Sequence, residues 1–256
     1  MCGLLLLLVK PVLAADSPNA PDNEQPDYSA QINAQGFFYG FFLGASNEIY
    51  KGYGTRLIPY PLIGYKGDKL NVYGPFVSYD ILSSNGATFY FQLSPRFAGY
   101  DESDSSIFQG MAERKNSIDA GFGLKLEYNN WTLKGSTLSE LLSYSDGTEI
   151  EASISRSFRA GPFLIEPQLY SSYLSNDHVN YYYGVRASEA NQFRQAYRGV
   201  HALNHAIGLS IATPVLFGGM TRLIIEHNLI DTPISNSPLV DSDTSTSLKL
   251  IFSKFF

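Results

Sequence analysis

The sequence predicts an all-β chain, an antiparallel transmembrane β-barrel of about 12 strands with 10 as the second choice, behind a cleaved signal peptide. Three observations predict it. From residue 36 onward, apolar and polar residues alternate with period two in stretches of about ten residues, the length that crosses a bilayer at a tilt. Aromatics reach 14% of the chain, with 18 Tyr and 17 Phe against a single Trp. Such rings suit strands and the two membrane–water interfaces. Finally, Leu248, Leu250, Phe252 and Phe256 share one face of the last strand and the sequence closes on the aromatic itself.

Residues 1–15 read as a signal peptide. Leu4 to Leu8 form its apolar core, and Val12-Leu13-Ala14 offers small residues for cleavage after Ala14 or Ala15. No basic residue precedes the apolar run and Lys10-Pro11 interrupts it, which a start codon assigned too far downstream would explain. Cys2 precedes the run instead of following it, which argues against acylation. It is the only cysteine, so the expected mature chain has no disulfide. Residues 16–35, rich in Pro, Asn, Asp and Gln, are expected to be a disordered periplasmic leader. Residues 36–256 then form one barrel domain.

The strands follow in order as 36–45, 56–65, 70–81, 87–100, 118–128, 131–136, 149–158, 163–173, 201–212, 220–229 and 245–256. In 118–128 the alternation is plainest: Ile118, Ala120, Phe122, Leu124, Leu126 and Tyr128 point one way, Asp119, Gly121, Gly123, Lys125 and Glu127 the other. The Asn129-Asn130 turn joins it to Trp131, Leu133 and their polar partners as a hairpin. This reading yields about eleven strands, whereas a barrel with both ends in the periplasm needs an even number, so either one strand is missing from it or one of these segments is not a strand. A soluble sandwich would also alternate, but its strands would be about half as long. The polar faces carry both signs, Arg96, Lys125, Glu127, Lys134, Glu166, Arg222 and Glu226, which suits a wet or partly plugged lumen. In the last strand Lys254 departs from the apolar face, and its stem can lie along lipid while the ammonium reaches water.

Charge and motifs exclude several functions. The net charge of −6 and the absence of a basic block argue against nucleic acid as a partner. No apolar run past the N-terminus approaches a spanning helix. There is no Ser-x-x-Lys, Gly-x-Ser-x-Gly, His-Glu-x-x-His or phosphate-binding glycine loop, so no enzyme and no cofactor is expected. His201 and His205 share a strand face with Leu203 and Ile207 and lack a third ligand, which speaks against a metal. They are expected near the outer rim or at a local inversion of register. Glu149 and Glu151, one pair on one face, read as lumen lining. Asn130-Trp131-Thr132 matches a sequon by accident of the turn, and Trp131 reads as an interface anchor.

One stretch asks for a role beyond scaffold. Residues 176–199 form a long loop with Tyr181, Tyr182, Tyr183, Arg186, Glu189, Arg194, Tyr197 and Arg198. Its tyrosines either pack over and constrict the barrel mouth, or present a docking surface, since Tyr and Arg dominate binding hot spots.

Four patches carry a resemblance. Tyr181-Tyr182-Tyr183-Gly184-Val185 with Ser188-Glu189-Ala190 and Tyr197 is one, and Ser237-Pro238-Leu239-Val240, preceded by Asn236, is the second. The third is Tyr50 and Gly52 followed by Pro61 and Tyr65, and the fourth is Gly110-Met111 with Arg114 leading into Ile118-Asp119-Ala120-Gly121. In this order they resemble the MipA/OmpV family of outer-membrane proteins. The resemblance implies a barrel in the cell outer membrane of a Gram-negative bacterium. In the best-known branch it acts as a scaffold linking a lytic transglycosylase to a murein synthase. Other members are discussed as porins or adhesins, and none as an enzyme. The expected partners are outer-membrane lipid and lipopolysaccharide, the barrel-assembly machinery acting on Phe252 and Phe256, and the two murein enzymes.

Overall fold

A computed structural model describes residues 34–256. The expected signal peptide 1–15, and the expected leader 16–35 as far as residue 33, lie outside the described residues. The rest forms thirteen strands: β1 Gly36–Asn47, β2 Thr55–Lys66, β3 Leu70–Tyr73, β4 Phe76–Ser84, β5 Ala87–Arg96, β6 Ser117–Tyr128, β7 Trp131–Glu140, β8 Thr148–Arg156, β9 Phe158–Ala160, β10 Phe163–Leu174, β11 Ala202–Thr213, β12 Met220–Leu229 and β13 Thr244–Phe255. Pairing is antiparallel throughout and runs around a closed circuit, with β1 against β13 and β10 against β11.

β8 and β9 are one stave. Both pair with β10, and Ser155 opposite Gln168 and Phe158 opposite Ile165 keep the same register across Ser157. The barrel therefore has twelve staves. The strand missing from the sequence reading lies inside 70–81, which is a hairpin of β3 and β4 turning at Gly74, where φ is +60°. The expected strand 87–100 is also shorter, ending at Arg96, because the chain leaves the wall there to enter a long loop.

Side-chain period and register separate two surfaces. Phe41, Leu43, Phe122, Leu124, Leu133, Ile154, Leu169, Ile207 and Leu248 are exposed apolar residues on one face. Cross-strand partners agree in facing: Leu43 opposes Leu250, and Leu133 opposes both Leu126 and Ile154. In a bilayer that face meets lipid. The opposite face carries the charged and small side chains, with an apolar strip of Phe38, Phe42, Ile58, Tyr60 and Leu62 on β1 and β2.

The two ends differ as well. Turns on the side of the chain termini are short, 67–69, 85–86, 129–130, 161–162 and 214–219. Asn129 and Asn130 both take positive φ, +47° and +66°, the conformation that matches strand twist in a two-residue hairpin. At the other end 48–54, 97–116, 141–147, 175–201 and 230–243 are longer, the asymmetry of periplasmic turns against extracellular loops. Most of the buried apolar core sits in those loops, in Ile49, Tyr50, Tyr100, Phe108, Met111, Val179, Val185, Ile234, Leu239 and Val240. A barrel wall with lipid outside and charges inside has little apolar interior of its own. The loops therefore supply it.

Candidate interaction site: the cap over the extracellular mouth

The cap is organised around a helix that the sequence reading took for loop. Residues Asn176–Tyr183 form α1, with Ser175 as N-cap accepting from the His178 backbone N–H at 3.4 Å. Tyr and Asn are weak helix formers, and two turns are marginal in water. Tertiary contacts hold it. The last carbonyls of a helix lack intrahelical donors, and here three other loops supply them. Arg114 Nε donates to the Tyr181 carbonyl at 2.7 Å. The Tyr50 and Tyr100 hydroxyls both donate to the Tyr182 carbonyl, at 3.2 and 2.9 Å. Ser237 Oγ donates to the Tyr183 carbonyl at 2.7 Å.

Around this helix end members of all four patches meet, whereas Pro61, Tyr65 and Ile118 to Gly121 lie apart from it on β2 and β6. Tyr50 pairs with Val240 as a β-bridge and stacks on Tyr183 at 5.5 Å. Val185 bridges Tyr197, whose hydroxyl donates to the Pro233 carbonyl at 2.9 Å, beside the one-turn helix α2, Thr232–Ser235. Gly184 ends α1, its N–H donating to the Asn180 carbonyl at 3.1 Å. Ser237 is buried and Pro238 half-buried, whereas Ala190 is exposed. Tyr182 has no exposed surface, and Tyr181 takes a hydrogen bond on its hydroxyl from the Lys115 N–H at 2.9 Å.

A buried ion pair fixes the far side. Arg114 Nη1 and Nη2 bond the Glu189 carboxylate at 3.0 and 2.8 Å, with both side chains almost fully enclosed. The Ala112 and Arg186 N–H groups fill the remaining acceptor sites of Glu189. Burial opposes the Glu189 charge most strongly of any single cause, but the Arg114 guanidinium and the Arg186 and Ala112 N–H groups together outweigh it and hold the carboxyl below its usual range. Arg194 Nε and Nη2 donate to the Glu189 carbonyl at 3.1 and 2.6 Å, and Nη1 to that of Ile107. His178, packed against Tyr182 at 5.1 Å, is pushed down to about 3 by burial and by the nearby Arg96 guanidinium.

Beneath the cap the inner face is ion-paired. Arg96 bonds both Asp119 and Glu149, the latter at 2.6 Å. Arg222 meets Glu166 at 2.7 Å, Lys249 meets Glu226 at 2.6 Å and Lys125 meets Glu127 at 2.9 Å. Lys134 stands opposite Lys125 and Ser153 in the register. A chamber of about 310 Å³ lies among Glu149, Glu151, Tyr170, Asn204, Glu226 and Lys249. On the cap itself a cleft of about 550 Å³ is lined by Asp177, Asn180, Tyr181, Arg186, Tyr197 and Arg198. His205 sits on the outward face, its Nδ1 2.9 Å from Ser171 Oγ, and His201 stacks on Tyr173 at 5.5 Å. At the termini Phe252 packs on Phe41 at 5.7 Å, and Phe256 lies 5.3 Å from Tyr39. Tyr100, His178 and Arg56 are the participants that sequence reasoning missed. Each acts across long sequence separations, which spacing does not register.

The family described as MltA-interacting protein MipA matches residues 39–256. The chain belongs to the MipA family. It is 24% identical to outer membrane protein OmpV of Vibrio cholerae over 194 residues, 75% of this chain and 74% of that one. It is likewise 24% identical to outer membrane protein Omp26La of Vibrio anguillarum over 181 residues, 70% of each chain. Among solved structures, the outer membrane protein OprD from Pseudomonas aeruginosa aligns at a TM-score of 0.36 and 10% identity, over 85% of this chain and 64% of OprD. This MipA-family chain is thus an outer-membrane β-barrel, and the patches that carried the resemblance supply Tyr50, Arg114, Tyr181 to Val185, Glu189, Tyr197 and Ser237 to its cap.

Proposed function

We propose that this barrel is a non-catalytic anchor that holds murein-remodelling enzymes, a lytic transglycosylase and a murein synthase, at the outer membrane. The observation that carries the reading is the cap. Loops 48–54, 97–116, 175–201 and 230–243 leave the wall at separate points and are bonded to one another at α1. An open pore gains nothing from such packing, whereas a barrel used as a fixed membrane post does. Murein lies on the periplasmic side, so the docking surface is the rim of short turns together with the leader. The family description, naming an interaction with MltA, supports the same partner class.

The test pairs two measurements on the folded protein. Crosslinking in intact envelopes from the 214–219 turn should recover a lytic transglycosylase, and recovery of no murein enzyme would count against the anchor. Planar-bilayer recording should show no steady open current. The ion-paired interior favours a second reading, a solute channel gated by the cap. In that case deletion of 181–197 should open a steady conductance while the intact chain already flickers.

A further inference from the structure

Above the β3–β4 hairpin the barrel wall is interrupted. β2 pairs with β1 along its whole length but with β3 only at Gly64, Tyr65 and Lys66. β4 first meets β5 at Val77 opposite Leu93. Residues 55–62 of β2 and 94–96 of β5 therefore have no strand partner on the sides that face each other. At about 2.5 Å of height per tilted residue the unpaired edge of β2 is about 20 Å tall, and residues 97–99 run along its upper part, with Phe97 6.4 Å from Tyr60 and the Gly99 carbonyl on Arg56. The outward side chains along it, Leu57 and Ile63, are 64% and 71% exposed.

Three features say what fills it. Proline marks its borders, with Pro59 and Pro61 on β2, Pro75 at the hairpin tip and Pro95 on β5. The Ile63 carbonyl accepts from the Gly74 N–H at 3.1 Å, so odd residues of β2 aim their backbone groups at the opening, and Pro59 and Pro61 bring no donor there. Unpaired donors are costly in hydrocarbon and invite strand addition, and these prolines leave only Thr55 and Leu57, at the upper end, with an N–H on that edge. Secondly, the inner face behind the opening is apolar. Phe38, Phe42, Ile58, Tyr60 and Leu62 line it, with Phe42 stacked on Tyr60 at 4.6 Å, while the opposite wall holds the ion pairs. Thirdly, Arg56 stands at the top. Its Nε bonds Glu48 at 2.9 Å and its Nη1 the Gly99 carbonyl at 2.8 Å, but Nη2 is buried with no partner.

We propose that this opening is a lateral binding site for an anionic lipid of the outer leaflet, with an acyl chain lying along Ile58 and Tyr60 and its acidic headgroup pairing with the Arg56 guanidinium, which turns its orphaned Nη2 out of the buried position to donate. A partner strand is the poorer occupant, because the prolines deny it hydrogen bonds. Acidic phospholipid, fatty acid and lipopolysaccharide share the chemistry.

A photocrosslinking residue placed singly at Ile58, Tyr60, Leu169 or Ser153 in the full chain, in outer membranes, tests it. Leu169 faces lipid and Ser153 the far inner wall. Lipid adducts should form at Ile58 and Tyr60 at a level approaching Leu169 and far above Ser153, and the adduct mass identifies which lipid is bound. Adding Arg56→Gln should lower the Ile58 adduct about tenfold while leaving that at Leu169 unchanged. Adducts at Ile58 and Tyr60 no higher than at Ser153, in protein that keeps its heat-modifiable fold, would overturn the site. An Ile58 adduct insensitive to Arg56→Gln would overturn the headgroup assignment.

Discussion

Arg114 and Glu189 show how much a single pair carries in the cap, since neither has water to fall back on if the other is lost. A buried pair against an apolar substitute is close to an even trade, but removing one member leaves the other charge stranded at a cost of about 3–5 kcal/mol. Arg114→Met should therefore loosen the cap without unfolding the wall. We expect rapid protease cleavage within 175–201 while the band stays heat-modifiable. Arg114→Lys should rescue only in part, because an ammonium lacks the planar fork that meets both carboxylate oxygens and also reaches the Tyr181 carbonyl. Persistent protection of that loop in Arg114→Met would refute the assignment. His178 adds a pH dependence. Its folded pKa of about 3 lies below the ordinary value near 6.5, so the unfolded cap binds the extra proton first. Cap stability is complete above about pH 6.5 and falls by about 1.4 kcal/mol per pH unit as the pH drops toward 3. Hydrogen exchange of the α1 amides should accelerate across that window in the native chain, and His178→Phe should flatten the trend.

At the level of elements, the closing seam between β1 and β13 is where sequence detail is least forgiving. A Cβ added at Gly40 would fall 1.8 Å from the Phe252 carbonyl oxygen, which is main chain and has no rotamer to yield. Gly40→Val should thus prevent β1 from zipping onto β13, seen as loss of the heat-modifiable form. A normal yield would mean the seam tolerates a shift that the geometry does not suggest. The same elements show what was legible in the sequence. Strands such as β6 and β7 declared themselves because lipid on one side and charge on the other impose strict alternation, and because Asn129-Asn130 is a turn by its own chemistry. The β3–β4 hairpin was read as one strand although its apolar parity switches, from Leu70 and Val72 to Val77 and Tyr79, across Gly74-Pro75. Two short runs of opposite parity joined by two residues look like one long run with a fault. The helix α1 was illegible for a different reason: its residues have no strong helix preference, and its stability comes from Tyr50, Tyr100, Arg114 and Ser237. Family motifs located Tyr50, Arg114 and Ser237 without revealing that they meet, and Tyr100 lies in none of those motifs.

For the whole molecule the decisive fact is that three media divide the chain. Lipid faces the outward rows, ion pairs line the inner wall away from β1 and β2, and most of the apolar core is displaced into the cap. Assembly must therefore be directed by something other than a collapsing core, and on our reading the terminal strand does this. Phe256 is 89% exposed, donates its N–H to the Phe37 carbonyl at 3.1 Å and sets its ring against Tyr39. It lies at the periplasmic rim, where a charge costs only about 0–1 kcal/mol. If Phe256 mattered only to stability, Phe256→Asp would fold to nearly the usual level. If it is a contact read by the assembly machinery, folded protein in the outer membrane should fall sharply while export proceeds. The two differ in where the chain accumulates, so fractionation with a heat-modifiability gel separates them. We expect unfolded Phe256→Asp chain in the periplasm, and a small folded remainder that melts within a few degrees of the native barrel. Full outer-membrane levels of the variant would show that the last residue carries no assembly information.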